Sequence, residues 1–528
     1  MSGRCNDVAI VDKGRDPSQI IYFNYKHYGY IVNSPLNRPG SLSPMWKPPE
    51  RIRYRTHPGE WPTAAVAAAS KLFMPLNYQA LSLSARTWVP AMVPWRATET
   101  GFVTPDNLDW YERFARGQPG VLVVEATGIR DIASGPLMRI SDDRFIPGLQ
   151  TLVERVRAAS DGQTRLLIQL IDFLTVRRRP EPEKFFARYL KITDQHRDAL
   201  KADDWSENRV RKALSDLELE ELKTILSPRE FESLRFGYRE HVTDTQIPHI
   251  AELPETLPVL FADAARRAQI AGFDGVELHY AHAYTMASFL SATNNRRDGY
   301  GDSLENRVRL PIEVYQAVRE TVGKDFVVGC RFLTEDCIEN GSSTDDSSFF
   351  AQQFAAAGMD FVSTSRGGKF DDAKQPTIGD AAYPYTGPSG YECIPGSLSD
   401  AFGPFGRNFA ATATIRTAIR NKGFNTPVVV TGGIHDFQQA QSLLESGTAD
   451  VIGLARQSLA DPDWFFKLRS GRGDEIRVCE YTNYCEGLDR KHKQVTCQLW
   501  DRTDLDEPGI SRSRDNRRRL VAPHWRSD

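Results

Sequence analysis

Between residues 71 and 475 the chain alternates two kinds of apolar pattern. Short, unbroken apolar and β-branched runs occupy 87–92, 121–125, 165–171, 275–278, 326–331, 360–363, 427–431 and 450–454. A run without apolar–polar alternation suits a parallel strand covered on both faces. Longer amphipathic stretches lie between most of them, at 146–159, 256–271, 304–321, 346–357, 409–421 and 436–447, and another follows the last run at 462–470. Ala-Gly or Ser-Gly commonly stands just before the next run, as a helix stop would. Eight successive β/α units predict an α/β fold, a TIM (β/α)8 barrel over 71–475.

Three segments fall outside that pattern. Residues 1–70 are rich in Pro, Tyr, Arg and Asn and read as an extended N-terminal arm. Residues 174–250 are highly charged, with weak helical period at 208–225, and form an insertion after the third strand. Residues 366–408 are rich in Gly, Pro, Tyr and Ser and follow the sixth strand. Both insertions fall on the C-terminal face, where long loops wall active sites; the first serves equally well as a contact in a homo-oligomer. Residues 476–528 form a C-terminal extension with a Cys-containing segment. Its basic tail, Arg512, Arg514, Arg517, Arg518 and Arg519, reads as a solvated terminus.

Composition narrows the partners. A net charge of −3 over 528 residues gives no reason to expect nucleic acid or an acidic membrane. Seven scattered cysteines suit a reducing compartment rather than a disulfide scaffold. There is no early signal-like segment and no apolar run of about 18 residues to span a membrane. A soluble, cytoplasmic protein is expected.

The chemistry concentrates after the fourth strand. His279, His282 and Tyr284 stand within six positions at its end. Three proton donors in apolar surroundings suit an oxygen that gains negative charge. A metal site built on His279 and His282 would need a third ligand, and none is clearly placed, so no metal is expected. The seventh strand ends in Gly432 and Gly433, and the eighth in Gly453, Leu454, Ala455 and Arg456. Glycines admit backbone N–H groups to a phosphate, and an arginine adds a bidentate charge. In TIM barrels a phosphate site commonly forms after strands seven and eight. No Gly-x-Gly-x-x-Gly follows a strand and no Walker motif occurs.

These segments resemble the Old Yellow Enzyme family of FMN-dependent oxidoreductases. Residues 275–307 are similar to its signature Gly-Val-Glu-Ile-His-x-Ala-His/Asn-Gly-Tyr-Leu…Tyr-Gly-Gly-Ser-x-Glu-Asn-Arg. Leu72-Phe73-Met74-Pro75-Leu76 resembles its opening, Glu125-Ala126-Thr127-Gly128 and Gln169-Leu170 its second and third strands, and Ala455-Arg456 with 459–463 its last. The resemblance implies FMN as cofactor, NADH or NADPH as electron donor, and an activated alkene, carbonyl-conjugated or nitro, as the small-molecule substrate. It implies that His279 and His282 bind the substrate oxygen and that Tyr284 donates the proton. Gln169 and Arg331 would contact the flavin, Ala91, Met92 and Ala126 would line its ring, and Gly432, Gly433, Ala455 and Arg456 would hold its phosphate. An amine dehydrogenase or demethylase of the related dienoyl-reductase branch is the alternative, and a metal-dependent barrel hydrolase a more distant one.

The chain departs from the family at several points. Val93 stands where a Thr or Cys normally contacts the flavin, which predicts a changed flavin potential. Ile171 and Asp172 replace an aromatic and a His, and Asp302 replaces a Gly. The dienoyl-reductase branch carries a four-iron cluster on Cys-x2-Cys-x3-Cys-x11-Cys. Here Cys485-x11-Cys497 keeps one spacing, Cys479 is out of register by one, and Val478 and Tyr481 occupy the other two positions. The iron–sulfur motif is therefore incomplete.

Overall fold

A computed structural model describes residues 60–132, 134–338, 340–367, 377–379, 405–489 and 491–525, together with the backbone of three short strands near the N-terminus. Eight parallel strands close into a barrel. They are β1 (Thr87–Val89), β2 (Val121–Gly128), β3 (Arg165–Ile171), β4 (Gly275–Tyr280), β5 (Val327–Leu333), β6 (Val362–Ser365), β7 (Val428–Thr431) and β8 (Val451–Gly453). Each pairs with its sequence neighbour, and β8 closes on β1 through Ile452 and Thr87. β1 stops short of its expected end because Pro90 has no N–H for the ladder.

The outer helices are α1 (Pro105–Ala115), α2 (Ile146–Ala159), α3 (Leu253–Ala271), α4 (Leu304–Val322), α5 (Thr344–Ala357), α6 (Phe409–Asn421), α7 (Phe437–Glu445) and α8 (Trp464–Arg469). All but α1 match the amphipathic stretches within a few residues. α1 carries its own start signal: Thr104 caps it, Pro105 opens it, and Asn107 bonds back to the Thr104 backbone.

Two cores result. Inside the barrel, Trp88, Val121, Val123, Leu167, Val327, Phe361, Val429 and Val451 fill the lower layers. A hairpin, Leu76–Tyr78 with Leu81–Leu83, closes the N-terminal mouth by adding Leu76, Leu81 and Leu83 to that cluster. Between sheet and helices lies the larger core. The filled lower barrel leaves only the C-terminal face for a site.

The 174–250 segment does lie between β3 and α3, and it folds into several short helices. The weak period at 208–225 becomes Glu207–Ser215 and Leu219–Ile225. These bury Phe185, Phe186, Val210, Leu214, Leu222 and Leu234 in a core of their own. Of the N-terminal arm, strands Asp7–Val11, Ile21–Asn24 and Arg53–Thr56 pair antiparallel. Most of the 366–408 loop, and Cys5 and Cys393, lie outside the described residues.

The basic tail departs from its expectation in part: Arg512, Arg514 and Arg517 are exposed, as a solvated terminus would have them. Arg518 and Arg519 are buried, not solvated. Arg518 donates to the carbonyl of Gln494 at 2.8 Å and to Thr496 Oγ1 at 2.9 Å, while Arg519 pairs with Glu507 at 3.0 Å. Arg113 of α1 reaches the Ala522 carbonyl at 3.0 Å. Local charge density misleads at these two because backbone carbonyls, Thr496 and Glu507 of the folded-back chain satisfy the guanidiniums. Among the described residues, no helix is long and apolar enough to cross a membrane.

Candidate active site

A cavity of about 190 Å³ opens at the C-terminal ends of β5 to β8. Its wall brings together six of the residues singled out from sequence: His282, Arg331, Gly432, Gly433, Ala455 and Arg456. The glycines are required by geometry. Gly432 and Gly433 have φ of 133° and 67°, where a side chain is strained. A Cβ on Gly453 would lie 2.2 Å from Thr431 Oγ1. Bare backbone thus faces the cavity from both strand ends.

His279 is the last residue but one of β4 and is buried. The chain then turns through two left-handed residues, His282 at φ 58° and Ala283 at φ 60°. That turn throws His282 across to β6 and returns Tyr284 beside His279. The ring planes of Tyr284 and His279 are perpendicular at 5.3 Å, and Phe173 packs edge-on against Tyr284 at 5.4 Å.

Hydrogen bonding assigns the histidine tautomers. The Ala281 N–H donates to His279 Nδ1 at 3.3 Å, so that nitrogen carries no proton. The His279 proton therefore sits on Nε2 and points at His282 Nδ1, 3.2 Å away. His282 in turn holds its proton on Nε2 and donates to Ser365 Oγ at 2.7 Å. Arg331 also approaches Ser365 Oγ, at 3.5 Å. A directed chain thus runs from His279 through His282 to a hydroxyl on the cavity wall.

Gln169 does not line the cavity. It lies one strand away and donates to buried Glu277 at 2.5 Å. Burial pushes the Glu277 carboxyl up to about 7, against the downward pull of Arg331 and Gln169. Ala91, Met92 and Ala126, at the ends of β1 and β2, are not among the cavity-lining residues either. Asp172, in place of the family's His, is buried and bound by Arg130 at 2.6 and 2.9 Å.

Sequence reading missed Ser365, Arg366, Arg407, Asn408, Thr431 and Tyr481, which share the wall. The run Ser363-Thr364-Ser365-Arg366 at a strand end was a usable signal. Tyr481 was not foreseeable, since it comes from the C-terminal extension to lie 4.8 Å from the Arg456 guanidinium. Arg456 also donates to Asn483 Oδ1 at 2.8 Å.

The lining suits FMN. Glycine backbone and Arg456 offer donors for a phosphate. Thr431 Oγ1 and Arg331 Nε are buried without a hydrogen-bond partner, as polar atoms awaiting a polar ligand would be. A four-iron cluster does not fit. Cys479, Cys485 and Cys497 converge, but around a void of only about 20 Å³, and no fourth thiol joins them among the described residues. Burial pushes the Cys485 thiol up to about 12. Nor, among the described residues, do three His, Cys, Asp or Glu side chains gather as a metal site.

Residues 251–387 and 402–475 match the NADH:flavin oxidoreductase / NADH oxidase family. The NADH oxidase of Thermoanaerobacter brockii is 27% identical over 75% of this chain and 50% of its own length. The N,N-dimethylglycine/sarcosine dehydrogenase of Chromohalobacter salexigens is 28% identical over 87% of this chain and 55% of its own. The chain thus spans about half the length of these relatives. The solved structure of a 2-naphthoyl-CoA reductase with 2-naphthoyl-CoA shares the fold, with a TM-score of 0.59 at 19% identity over 84% of this chain and 59% of that one. With the eight-stranded barrel and the signature at 275–307, these matches make the chain similar to the NADH:flavin oxidoreductase / NADH oxidase family.

Proposed function

We propose that the chain is an FMN-dependent oxidoreductase that draws electrons from NADH or NADPH and reduces the C=C bond of an activated alkene. The observation that carries this reading is the His279–His282–Ser365 chain, with Tyr284 against it, on the rim of a glycine- and arginine-lined cavity. When bound, FMN supplies hydride transfer through its ring nitrogen.

The protein's own groups do the rest. Gly432, Gly433, Ala455 and Arg456 would hold the phosphate, and Gln169, Arg331, Ala91, Met92 and Ala126 would be the residues toward the ring. The substrate oxygen competes with Ser365 Oγ for the His282 Nε2 proton, and His279 polarises that donor from behind. Such bonds strengthen as negative charge grows on the oxygen, so they favour the transition state over the ground state. Tyr284 delivers a proton to the adjacent carbon, a step within the reach of a phenol acting as general acid.

A second reading is an amine dehydrogenase or demethylase. The relative named for N,N-dimethylglycine and sarcosine favours it. Anaerobic reduction by NADH and by NADPH, followed by reoxidation with enones, nitro compounds and amines, separates the two. Reoxidation by an enone supports alkene reduction. Reduction of the oxidised protein by an N-methylated amine, with no response to alkenes, would replace it by the second reading. A purified protein without flavin absorption would sink both.

A further inference from the structure

Three neighbouring strands place a buried polar row below the cavity, and its central member has no task in the reaction above. Gln169 on β3 is in register with Glu277 on β4, and Glu277 with Gly329 on β5. Gly329 has no room for a side chain, because a Cβ there would lie 2.5 Å from the Phe361 ring and carbonyl. β5 therefore answers Glu277 with Arg331, two residues further on. Glu277 is fully buried. Its Oε1 accepts from Gln169, while Oε2 has no hydrogen-bond partner.

A half-satisfied buried carboxylate is costly, and either a proton or a nearby cation relieves it. The charged and titratable groups around it are few. β5 presents Arg331 and, through its field, Cys330. β4 presents His279 on the same face, and β3 offers only the neutral Gln169. Burial pushes the Cys330 thiol far up, so it stays protonated, and burial lowers Arg331 while Glu277 supports its charge. Glu277, held near 7, is the member of this group poised to change state around neutrality.

We propose that Glu277 takes up a proton when the cofactor is reduced. The proposal rests on the reading that FMN lies against Arg331 in the cavity. The balance is simple. A hydride donor is oxidised and brings two electrons and one proton to the cofactor, which then carries one added negative charge. That charge draws on Arg331, leaving Glu277 less well compensated. A proton from solvent forms an O–H bond at the unpartnered Oε2 and restores neutrality. Glu277 neither touches substrate nor exchanges electrons. It is a positioning and charge-balancing residue beneath the cofactor.

The test is the midpoint potential of the FMN-loaded protein, measured by spectroelectrochemistry from pH 6 to pH 9. A two-electron potential moves about 30 mV per pH unit for each proton taken up. The wild type is expected to show about 60 mV per pH unit near neutrality, easing to about 30 mV at high pH. Glu277→Gln should show about 30 mV across the neutral window. Equal slopes in the two proteins would overturn the proposal while leaving the flavin reading intact. Loss of flavin absorption in the wild type would overturn both. Should Glu277→Gln fold poorly, the redox difference infrared spectrum of wild-type protein, with and without ¹³C-glutamate, gives the same answer. A carboxylic C=O band that appears on reduction and shifts with the label supports the role, and its absence overturns it.

Discussion

His282 Nε2 lies 2.7 Å from Ser365 Oγ, and that bond ties the turn after β4 to the end of β6. Because the Ala281 N–H fixes the His279 tautomer, the bond can run only from histidine to serine. Ser365 therefore holds the orientation of a ring that carries a proton to the cavity.

Ser365→Ala should loosen His282. A hydrogen bond of this kind contributes roughly 1 kcal/mol, or about fivefold in rate when it orients a catalytic group. Turnover of an enone should fall by about that factor, and reduction by the nicotinamide should not change. Ser365→Thr keeps the acceptor and should recover most of the rate. Stopped-flow traces of the two half-reactions decide the matter, and equal slowing of both would show only a general loss of structure.

Arg456 meets the cavity from the start of the short helix after β8, stacked on Tyr481. A charge-assisted hydrogen bond is worth roughly 1.5–3 kcal/mol. Arg456→Ala should thus weaken FMN binding by about 10- to 100-fold in a fluorescence titration of the apoprotein. Riboflavin lacks the phosphate, so its affinity should be the same in both proteins. Parallel losses for the two ligands would move Arg456 from phosphate holder to scaffold.

The barrel was legible because parallel strands buried on both faces leave continuous apolar runs, and all eight runs became strands. α1 escaped notice because Asn107 and Arg113 place polar side chains on its buried face, although its Thr104-Pro105 start was readable. The site was legible where chemistry is carried by backbone or by rare residue types, as at Gly432, Gly433 and the two histidines. It was not legible where a contact depends on distant chain closure. Ser365 meets His282 across 83 residues, and Tyr481 enters from the extension. The burial of Arg518 and Arg519 was hidden for the same reason, since backbone carbonyls, Thr496 and Glu507 come to them only when the chain folds back.

Ala283 sits at φ 60°, where the family signature has glycine. A left-handed alanine costs roughly 1–2 kcal/mol, and glycine gives back about half through the greater freedom of the unfolded chain. Ala283→Gly should therefore stabilise the protein by about 0.5–1 kcal/mol and raise its melting temperature by about 1 °C. The turn that aims His282 and Tyr284 would also become less rigid, so enone turnover should fall while stability rises. Calorimetry paired with steady-state kinetics tests both halves, and a lower melting temperature would contradict the strain argument.

Glu125 gives a pH dependence with a definite sign. The bulge in β2 between Val124 and Thr127 accompanies its turn toward α1. There it is fully buried and accepts from Tyr111 Oη at 2.8 Å. Burial pushes its carboxyl up to about 8, while Tyr111, Met138 and Arg96 pull the other way. The ordinary value is 4.5, so the folded state binds this proton more tightly than the unfolded chain does. The resulting stability is complete below pH 4.5 and is lost as the pH rises through about 8. Between those limits the loss approaches roughly 1.4 kcal/mol per pH unit, as an upper bound. Glu125→Gln keeps the shape and an acceptor for Tyr111 but cannot ionise. Urea unfolding at pH 5 and pH 8 should show a steep fall for wild type and a shallower one for the variant, which becomes the more stable protein at pH 8. Glu277 contributes a fall of the same sign in both proteins, so the difference between the two profiles isolates Glu125. Profiles that run parallel would mean that Glu125 is ionised in the folded protein at neutral pH.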